Sequence, residues 1–292
     1  TSPCGARAGR VAAALAGLVA DVLPPGPAGG LPRSVGVAVP GIVRRADGHV
    51  HLAPNLGWSD VPFGRLLHRR IGGLLGTAVP VLVGNDADLG ARAEHARGAA
   101  AGSRHVIYLS GHVGLGAGVI VDGRPLSGLS GYGGEVGHVK VSTAGRSCRC
   151  GSYGCWETEV GEEALLARAG HPPDAGTGGV RAVLAEAAAG SPRAEAALAE
   201  TGRWLGLGIA NLVNIFNPEL VVVGGVMRLV LPSVEEVVGA QLTAFALGPS
   251  RAQVRLALPA LDLDSALVGA AELAFEALLA DPLGALPGGG PS

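Results

Sequence analysis

The sequence predicts an α/β protein with at least two sheets. Short apolar runs of strand length, at Ser34–Gly41, Ala78–Asp86 and Pro218–Gly225, alternate with longer stretches of helical spacing. The chain has 292 residues, 48% of them hydrophobic and 16% charged, which suggests a large core in two domains or in two lobes of one fold. Disorder is not expected over most of its length.

The first half of the chain is predicted to alternate between helices and strands. A helix over Arg10–Leu23 is ended by the Pro- and Gly-rich segment PPGPAGGLP. The buried strand Ser34–Gly41 closes on a Pro-Gly turn, and residues 63–75 form a second helix. The buried strand Ala78–Asp86 ends on two polar residues, after which residues 87–100 return to helical spacing.

The second half begins with HVIYLSGHVGLGAGVIVDGRPL, which predicts two strands joined through a glycine-rich turn. From Glu162 onward helices dominate, with one further buried strand at Pro218–Gly225 and a last helix near Leu267–Leu279. No internal repeat interrupts this order.

Charge and hydropathy exclude several classes of partner. The formal net charge is −2, and no cluster of Lys and Arg provides an electrostatic footprint for nucleic acid. No apolar run reaches the roughly 18 residues that span a bilayer, and the first residues lack the order of a signal peptide. We therefore expect a cytoplasmic protein with a small-molecule ligand, in which thiols stay reduced and available to a metal.

Three of the four cysteines lie in one polar, glycine-rich segment, Gly137–Glu157. Cys148, Cys150 and Cys155, together with His138, provide three thiols and one imidazole, a set that Zn²⁺ accepts at the corners of a tetrahedron. Glycines between the ligands allow tight turns. Four protein ligands leave no position for water, which indicates a structural metal. The alternative is a set of ordinary buried thiols with a core histidine, but the segment is polar for a core.

Two carboxylates flank these ligands. Glu135 stands about one helical turn before His138, and Glu157 follows Cys155 by two residues. A metal-bound loop would hold both acids in fixed positions. A rigid pair of acids beside an imidazole suits a ligand rich in hydroxyl groups. Each acid alone is more typical of a solvated surface, whereas the combination favours a binding site.

The motif GGEVGH…CRCGSYGCWE resembles the signature of the ROK family (repressor, open reading frame, kinase), which groups bacterial sugar kinases with sugar-responsive transcriptional repressors. The similarity extends through VAVPGIV, LAPNLGW, GNDADLGARAEH, NPELVVVGG and SALVGAAELA, and so covers nearly the whole chain. The resemblance implies a two-lobed, actin-like α/β fold, in which a cleft lies between the lobes and the last helix returns to the first lobe. By the same resemblance, we expect this sequence to begin at the helix that follows the first hairpin of that lobe.

The same resemblance implies a division of the chain. We expect a first α/β lobe over residues 1–98, incomplete at its N-terminus, and a second α/β lobe over residues 99–265 with a zinc-binding loop at residues 135–157. The helix over residues 266–280 would return to the first lobe, and the tail over residues 281–292 is predicted to be disordered.

The resemblance also assigns sugar-binding positions. They are Asn55, Asn85, Asp86, Glu135, His138 and Glu157. In the family's kinases the residue matching Asp86 is the general base that takes the proton of the attacking hydroxyl. His138 would use one ring nitrogen for zinc and the other for the sugar, so that the metal fixes its tautomer. Without the family, Asn85 and Asp86 would be read as an ordinary strand-to-helix cap.

Two differences between this sequence and the family's kinases favour the repressor branch. The Asp-x-Gly-Gly-Thr turn that meets the phosphates in kinases does not occur here. The second phosphate loop, usually Gly-Thr-Gly, is degenerate at Val113, Gly114 and Gly116, with Val113 in place of the threonine. Phosphoryl transfer depends on positioning and charge stabilisation around the phosphates, so these changes should remove it. GYGGEVGH followed by CWETEVGEEALL resembles the actinobacterial regulators, which carry a winged helix-turn-helix ahead of the sugar-binding body.

The sequence therefore predicts the sugar-responsive body of a ROK-type regulator, with a structural zinc and a hexose, amino sugar or related pentose as ligand. DNA would be bound only through an N-terminal domain absent from this chain, and a homo-oligomer is expected. The alternative is an ATP-dependent, glucokinase-like sugar kinase with Asp86 as its base. A degraded gene product that folds poorly is a third possibility, because a missing hairpin exposes apolar neighbours.

Overall fold

The computed structural model describes residues 3–23, 31–111 and 114–282. The helices in these residues are α1 (Pro3–Val22), α2 (Phe63–Leu75), α3 (Asp86–Arg97), α4 (Glu157–Val160), α5 (Glu162–Ala169), α6 (Gly176–Ala188), α7 (Pro192–Phe216), α8 (Met227–Phe245), α9 (Gly248–Gln253) and α10 (Ser265–Ala280). The strands are β1 (Val35–Val39), β2 (Ile42–Arg44), β3 (His49–Ala53), β4 (Trp58–Val61), β5 (Val81–Asn85), β6 (Val106–Gly111), β7 (Leu115–Val121), β8 (Arg124–Pro125), β9 (Leu220–Gly225) and β10 (Arg255–Ala257). None of the described helices has the length and apolar character that crossing a membrane requires.

Two compact units divide the chain. The described residues of the first unit come from Thr1–Leu89, Ser127–Gly133 and Ala266–Ser292. Those of the second come from Gly90–Leu126 and Gly134–Ser265. Each unit has its own sheet or sheets and its own buried apolar cluster.

The first segment of the first unit ends at Leu89, whereas the sequence analysis placed the end of the first lobe at residue 98. Helix α3 is continuous across the change of unit, so no loop marks the boundary. Residues 127–133 join the first unit, where the Tyr132 ring meets the His51 ring edge-on, with centroids 5.3 Å apart. A contact of this kind between distant segments carries no local sequence signal.

The first unit contains a parallel β1–β5 pair and an antiparallel β2–β3–β4 meander. Its core includes the fully buried rings of Trp58 and Phe63, whose centroids are 4.8 Å apart. Helix α10 packs closely on β1, because a side chain at Gly36 would overlap the backbone of Ala270. The unit thus joins segments from both ends of the described chain.

The second unit is built on one sheet with the strand order β10–β9–β6–β7–β8. Strands β10, β9 and β6 are parallel, whereas β7 and β8 run antiparallel to their neighbours. All six residues of β9 are buried, which agrees with its continuous apolar sequence. Helices α7 and α8 cover this core with side chains such as Leu205, Ile209 and Val234.

The sequence predicted most of these elements. Helix α2 covers the predicted residues 63–75, and β9 lies within the predicted strand Pro218–Gly225. The meander β2–β4 was missed, because its strands are only three, five and four residues long. His112 and Val113 of the predicted phosphate loop lie outside the described residues, as do residues 283–292 of the predicted disordered tail.

Candidate functional site

The GGEVGH motif lies against strand β7. A side chain at Gly134, whose φ is +92°, would come within 2.7 Å of a β7 carbonyl oxygen, and a side chain at Gly137 would overlap another. Only glycine permits this approach of two backbones. The two glycines therefore seat the 3-10 turn Val136–His138 on the strand, with Glu135 at its start.

The loop that follows brings together the predicted metal ligands. His138, Cys148, Cys150 and Cys155 each place one ligand atom within 4.8 Å of the other three. Cys148 Sγ lies 3.7 Å from His138 Nδ1, and Cys150 Sγ lies 3.7 Å from Cys155 Sγ. Cys148 and Cys155 are buried, whereas Cys150 is exposed. A cluster that could hold a metal is therefore present where the sequence placed it.

The spacing fits a tetrahedral metal. A tetrahedron with metal–sulfur distances of about 2.3 Å has edges of about 3.8 Å, close to the two 3.7 Å separations. Gly151 and Gly154 have φ values of +89° and +65°, the left-handed turns expected between the ligands. Isolated bridges pair Lys140 with Cys155 and Ser147 with Tyr153, so backbone contacts hold the loop in place.

Glu157 approaches this cluster from the start of helix α4. Its Oε1 accepts a hydrogen bond from Cys148 Sγ over 2.8 Å. Burial, reinforced by this carboxylate, raises the pKa of the Cys148 thiol. Burial acts in the same direction on Cys150, but hydrogen bonds from the Ser152 backbone and the neighbouring thiols outweigh it and lower the Cys150 pKa. A metal that binds must therefore displace a proton from Cys148.

Lys140, the only lysine in the sequence, lies beside the cluster, a position that sequence reasoning missed. Its Nζ donates to Cys155 Sγ over 3.1 Å, to Ser152 Oγ over 2.6 Å and to the Tyr153 carbonyl over 2.5 Å. Three thiolates around a divalent cation carry one net negative charge, which an ammonium group offsets. The signal was available, since a lone lysine within a cysteine-rich segment is unusual.

Trp156 anchors the loop to the core of the second unit. Its side chain is 1% exposed, and its Nε1 donates to the Trp204 carbonyl oxygen over 2.8 Å. Gly208 on helix α7 makes room for the indole, since a side chain there would overlap the ring. The residue directly after the last cysteine thus fixes one end of the cluster.

The two ring nitrogens of His138 face different carboxylates. Nδ1, on the Cys148 side, lies 3.5 Å from Glu157 Oε1, and Nε2 lies 3.9 Å from Glu135 Oε2. Glu135 is 38% exposed and Glu157 18% exposed. The imidazole can therefore present one nitrogen to a metal while the other faces Glu135 and solvent.

Glu157 also contacts the glycine-rich turn before β7. Its Oε2 accepts a hydrogen bond from the Leu115 backbone N–H over 3.4 Å, and a side chain at Gly114 would come within 2.5 Å of the same oxygen. Gly116 lies in β7, opposite Ser110. The described part of the predicted phosphate loop is thus packed against a carboxylate, which repels phosphate.

The remaining predicted sugar positions lie in the first unit. Asn85 Oδ1 accepts hydrogen bonds from the backbone N–H groups of Ala87 and Asp88, and Asn85 Nδ2 donates to the Gly41 carbonyl. Asn85 therefore caps helix α3, the alternative role that its position suggested. Asp86 begins the same helix and accepts from the Ala87 N–H over 2.9 Å.

Asn55, the last predicted sugar position, is exposed in the 3-10 turn Pro54–Leu56 between β3 and β4. Asn55, Asn85 and Asp86 thus belong to the first unit. Glu135, His138 and Glu157 belong to the second, where the structure brings them together.

Solved structures with a similar fold define the class of protein. The structure of a ROK family glucokinase from Streptomyces griseus in complex with glucose and AMPPNP is 30% identical, with a TM-score of 0.76, and the match covers 91% of this chain and 88% of that one. The fold is the actin-like α/β fold of the ROK sugar kinases. The model of the ROK family matches residues 24–277, and the chain belongs to that family.

Characterised relatives fall into both branches of the family. A xylose repressor of Caldicellulosiruptor bescii is 35% identical over 202 residues, which cover 65% of this chain and 49% of the repressor. A glucokinase of Streptomyces coelicolor is 33% identical over 210 residues, which cover 66% of this chain and 64% of the kinase. The chain thus spans about half the length of the repressor and under two thirds of the kinase.

Proposed function

We propose that this chain is the sugar-binding effector body of a cytoplasmic ROK-type transcriptional regulator. The observation that carries the proposal is the arrangement around His138, whose two ring nitrogens face Glu157 at 3.5 Å and Glu135 at 3.9 Å. Carboxylates held around an imidazole suit the vicinal hydroxyls of a sugar, because hydrogen bonds to charged acceptors are strong. A hexose, an amino sugar or a related pentose is the ligand class, and Asn55, Asn85 and Asp86 are the further sugar-binding positions that the family resemblance implies.

A structural zinc supports this binding site. Cys148, Cys150, Cys155 and His138 Nδ1 would hold it, and a cation with four protein ligands supplies no open position for chemistry. Its contribution is to close the loop and fix the tautomer of His138, so that Nε2–H is the proton offered to the sugar. Glu157 remains beside the cluster through its contact with the Leu115 backbone N–H.

Val113 favours the regulator over a kinase. It occupies the position at which the family's phosphate loop has a threonine hydroxyl, and Glu157 lies against the neighbouring Gly114. A γ-phosphate would lose a hydroxyl donor there. We propose sugar as the small-molecule partner, DNA as a partner of the whole regulator rather than of its sugar-binding body, and a homo-oligomer as the assembly. The alternative is a glucokinase-like enzyme that uses ATP, with Asp86 as base.

Calorimetry with glucose, xylose and N-acetylglucosamine tests the sugar site. Replacing one charged acceptor, in Glu157→Gln, removes about 1.5–3 kcal/mol, so affinity for the preferred sugar should fall on the order of tenfold to a hundredfold. Glu163→Gln is the matched control, because Glu163 pairs with Arg149 on the surface of the same segment. Equal affinity in the two variants would remove Glu157 from the site.

Two activity assays separate the branches. ADP release should stay at background with every sugar, beside an authentic glucokinase as positive control. Sugar-dependent turnover above about 0.1 s⁻¹, below the usual 1–100 s⁻¹ of kinases, would establish the enzyme instead. A gel-shift with promoter fragments should show no specific complex with this chain alone, because its basic residues are outnumbered and scattered.

A further inference from the structure

A second group of potential ligands lies on the meander of the first unit. His49 and His51 are two residues apart on strand β3 and therefore share one face of the sheet. The register pairs Val50 with Val61 on β4, which places Asp60 across from His51. The two histidines of one strand and the aspartate of the neighbouring strand therefore lie on the same surface of the sheet.

The side chains converge on one oxygen atom. His51 Nδ1 lies 3.2 Å from Asp60 Oδ1, and His49 Nε2 lies 3.6 Å from the same oxygen. The two imidazole centroids are 4.7 Å apart, and one ligand atom from each of the three residues lies within 4.8 Å of the others. A hydrogen bond accounts for His51, but 3.6 Å is too long for one to His49.

These separations resemble those between ligands of one metal ion. With metal–nitrogen and metal–oxygen distances of about 2.0–2.2 Å, neighbouring ligand atoms of a tetrahedral or octahedral ion are about 3.0–3.5 Å apart. The 3.2 Å separation of His51 already lies in that range, and a small rotation of the His49 side chain would bring its 3.6 Å separation into it. The set also has an open side, since the Asp60 side chain is 75% exposed whereas His49 is 16% exposed.

We propose that His49, His51 and Asp60 form a binding site for a borderline divalent transition-metal cation such as Zn²⁺ or Ni²⁺. Two imidazoles and one carboxylate suit such cations, whereas Mg²⁺ and Ca²⁺ prefer oxygen ligands alone. Three protein ligands leave positions for water or for a further ligand, unlike the closed Cys₃His set. The site shares no residue with that cluster and lies in the first unit.

The orientation of His51 fits a metal on Nδ1. Its Nε2 is buried and has no hydrogen-bond partner among the described residues. Nδ1, which faces Asp60, is thus the ring nitrogen that a cation can reach, and the ring is held by edge-on packing with Tyr132. The cation would therefore tie β3 to β4, the two strands that flank the turn carrying Asn55.

Calorimetric titration of the whole chain with Zn²⁺ is the test, on protein whose Cys cluster is already loaded. We expect one further, weaker equivalent of zinc. Asp60→Asn should weaken it by about tenfold or more, since even a residue that only orients a ligand changes metal affinity 10–100-fold. Asn is the same size as Asp and tolerates the left-handed φ of +50° at this position, so the fold should be retained.

His49→Gln provides a second variant, and equal melting temperatures in EDTA would show that both variants fold. The matched control is His105→Ala, which removes an imidazole 3.7 Å from the Asp122 carboxylate; in the described part of the chain this pair belongs to no group of three potential ligands. Cys150→Ser should leave the weaker site intact. No zinc beyond the Cys cluster, or equal affinity in Asp60→Asn and His105→Ala, would overturn the proposal.

Discussion

The ammonium of Lys140 lies 3.1 Å from the sulfur of Cys155, in a loop that also contains Cys148 and Cys150. The lysine is part of the same small structure as the thiols, because its backbone forms an isolated bridge with Cys155 itself. The loop that contains the thiols therefore also fixes the position of the Lys140 ammonium group, which can offset the charge of a thiolate. This relationship gives the first prediction.

Lys140→Met should weaken zinc binding by roughly tenfold to a hundredfold, the usual effect of losing a group that contacts a ligand rather than the metal. Competition with a chromophoric chelator at neutral pH measures it. Arg149→Met is the control, because Arg149 lies in the same loop and pairs instead with Glu163 on the surface. Unchanged affinity in Lys140→Met would mean that the ammonium acts on the fold alone.

Purified protein should contain about one tightly bound zinc after dialysis, held by the Cys₃His set. Cys150→Ser should lose that metal and melt at least about 4 °C lower, since metal binding to a native loop adds to the free energy of unfolding. Cys4→Ser is a matched control, because Cys4 is the one cysteine outside the set. Full metal content in Cys150→Ser would disprove the ligand assignment.

Gly208→Ala should destabilise the second unit by about 1–3 kcal/mol, because the added methyl group overlaps the ring of Trp156. The same change should lower zinc retention, since Trp156 is directly bonded to Cys155 in the chain. Gly239→Ala on helix α8 has no atom within 4 Å of the new methyl group and should stabilise by about 0.5–1 kcal/mol. Urea denaturation of both variants compares them, and equal effects would contradict the packing assignment.

Glu219 gives a prediction for acid stability. Its Oε1 accepts hydrogen bonds from the backbone N–H groups of His105 and Arg104, and these lower its pKa in the folded protein. A lowered carboxyl pKa contributes stability above the unfolded pKa of about 4.3 and loses it as the pH falls through the lower folded value. Glu219→Gln should therefore be less stable than wild type at pH 7, with a gap that narrows below about pH 4. Denaturation at both pH values tests this, and a constant gap would refute it.

The sequence predicted those features that depend on residues close together in the chain. Helix α2 matches residues 63–75 because its apolar period is complete, and Leu75 is followed by a left-handed glycine. The clustering of His138 with the three cysteines was predictable because the four residues lie within 18 residues of sequence and need only tight turns between them. The α/β class followed from the alternation of strands with helices.

Contacts between distant segments were not predictable in the same way. Trp156 meets Gly208 across about 50 residues of sequence, and neither residue indicates the other. The meander β2–β4 is formed by strands too short to show a period, so the convergence of His49, His51 and Asp60 became visible only with its register. The capping bonds of Asn85 match the role that its position alone suggested, beside the predicted role in sugar binding, but its bond to the Gly41 carbonyl depends on the β1–β5 pairing.

The burial of Trp156 between the metal loop and helix α7 has a practical consequence for spectroscopy. The chain has only three tryptophans, and this one lies immediately beside a ligand of the cluster. With Phe in place of Trp58 and Trp204, its emission reports the state of the loop without any attached dye. A blue-shifted spectrum indicates a seated indole, and a red shift on chelation indicates an indole released into water.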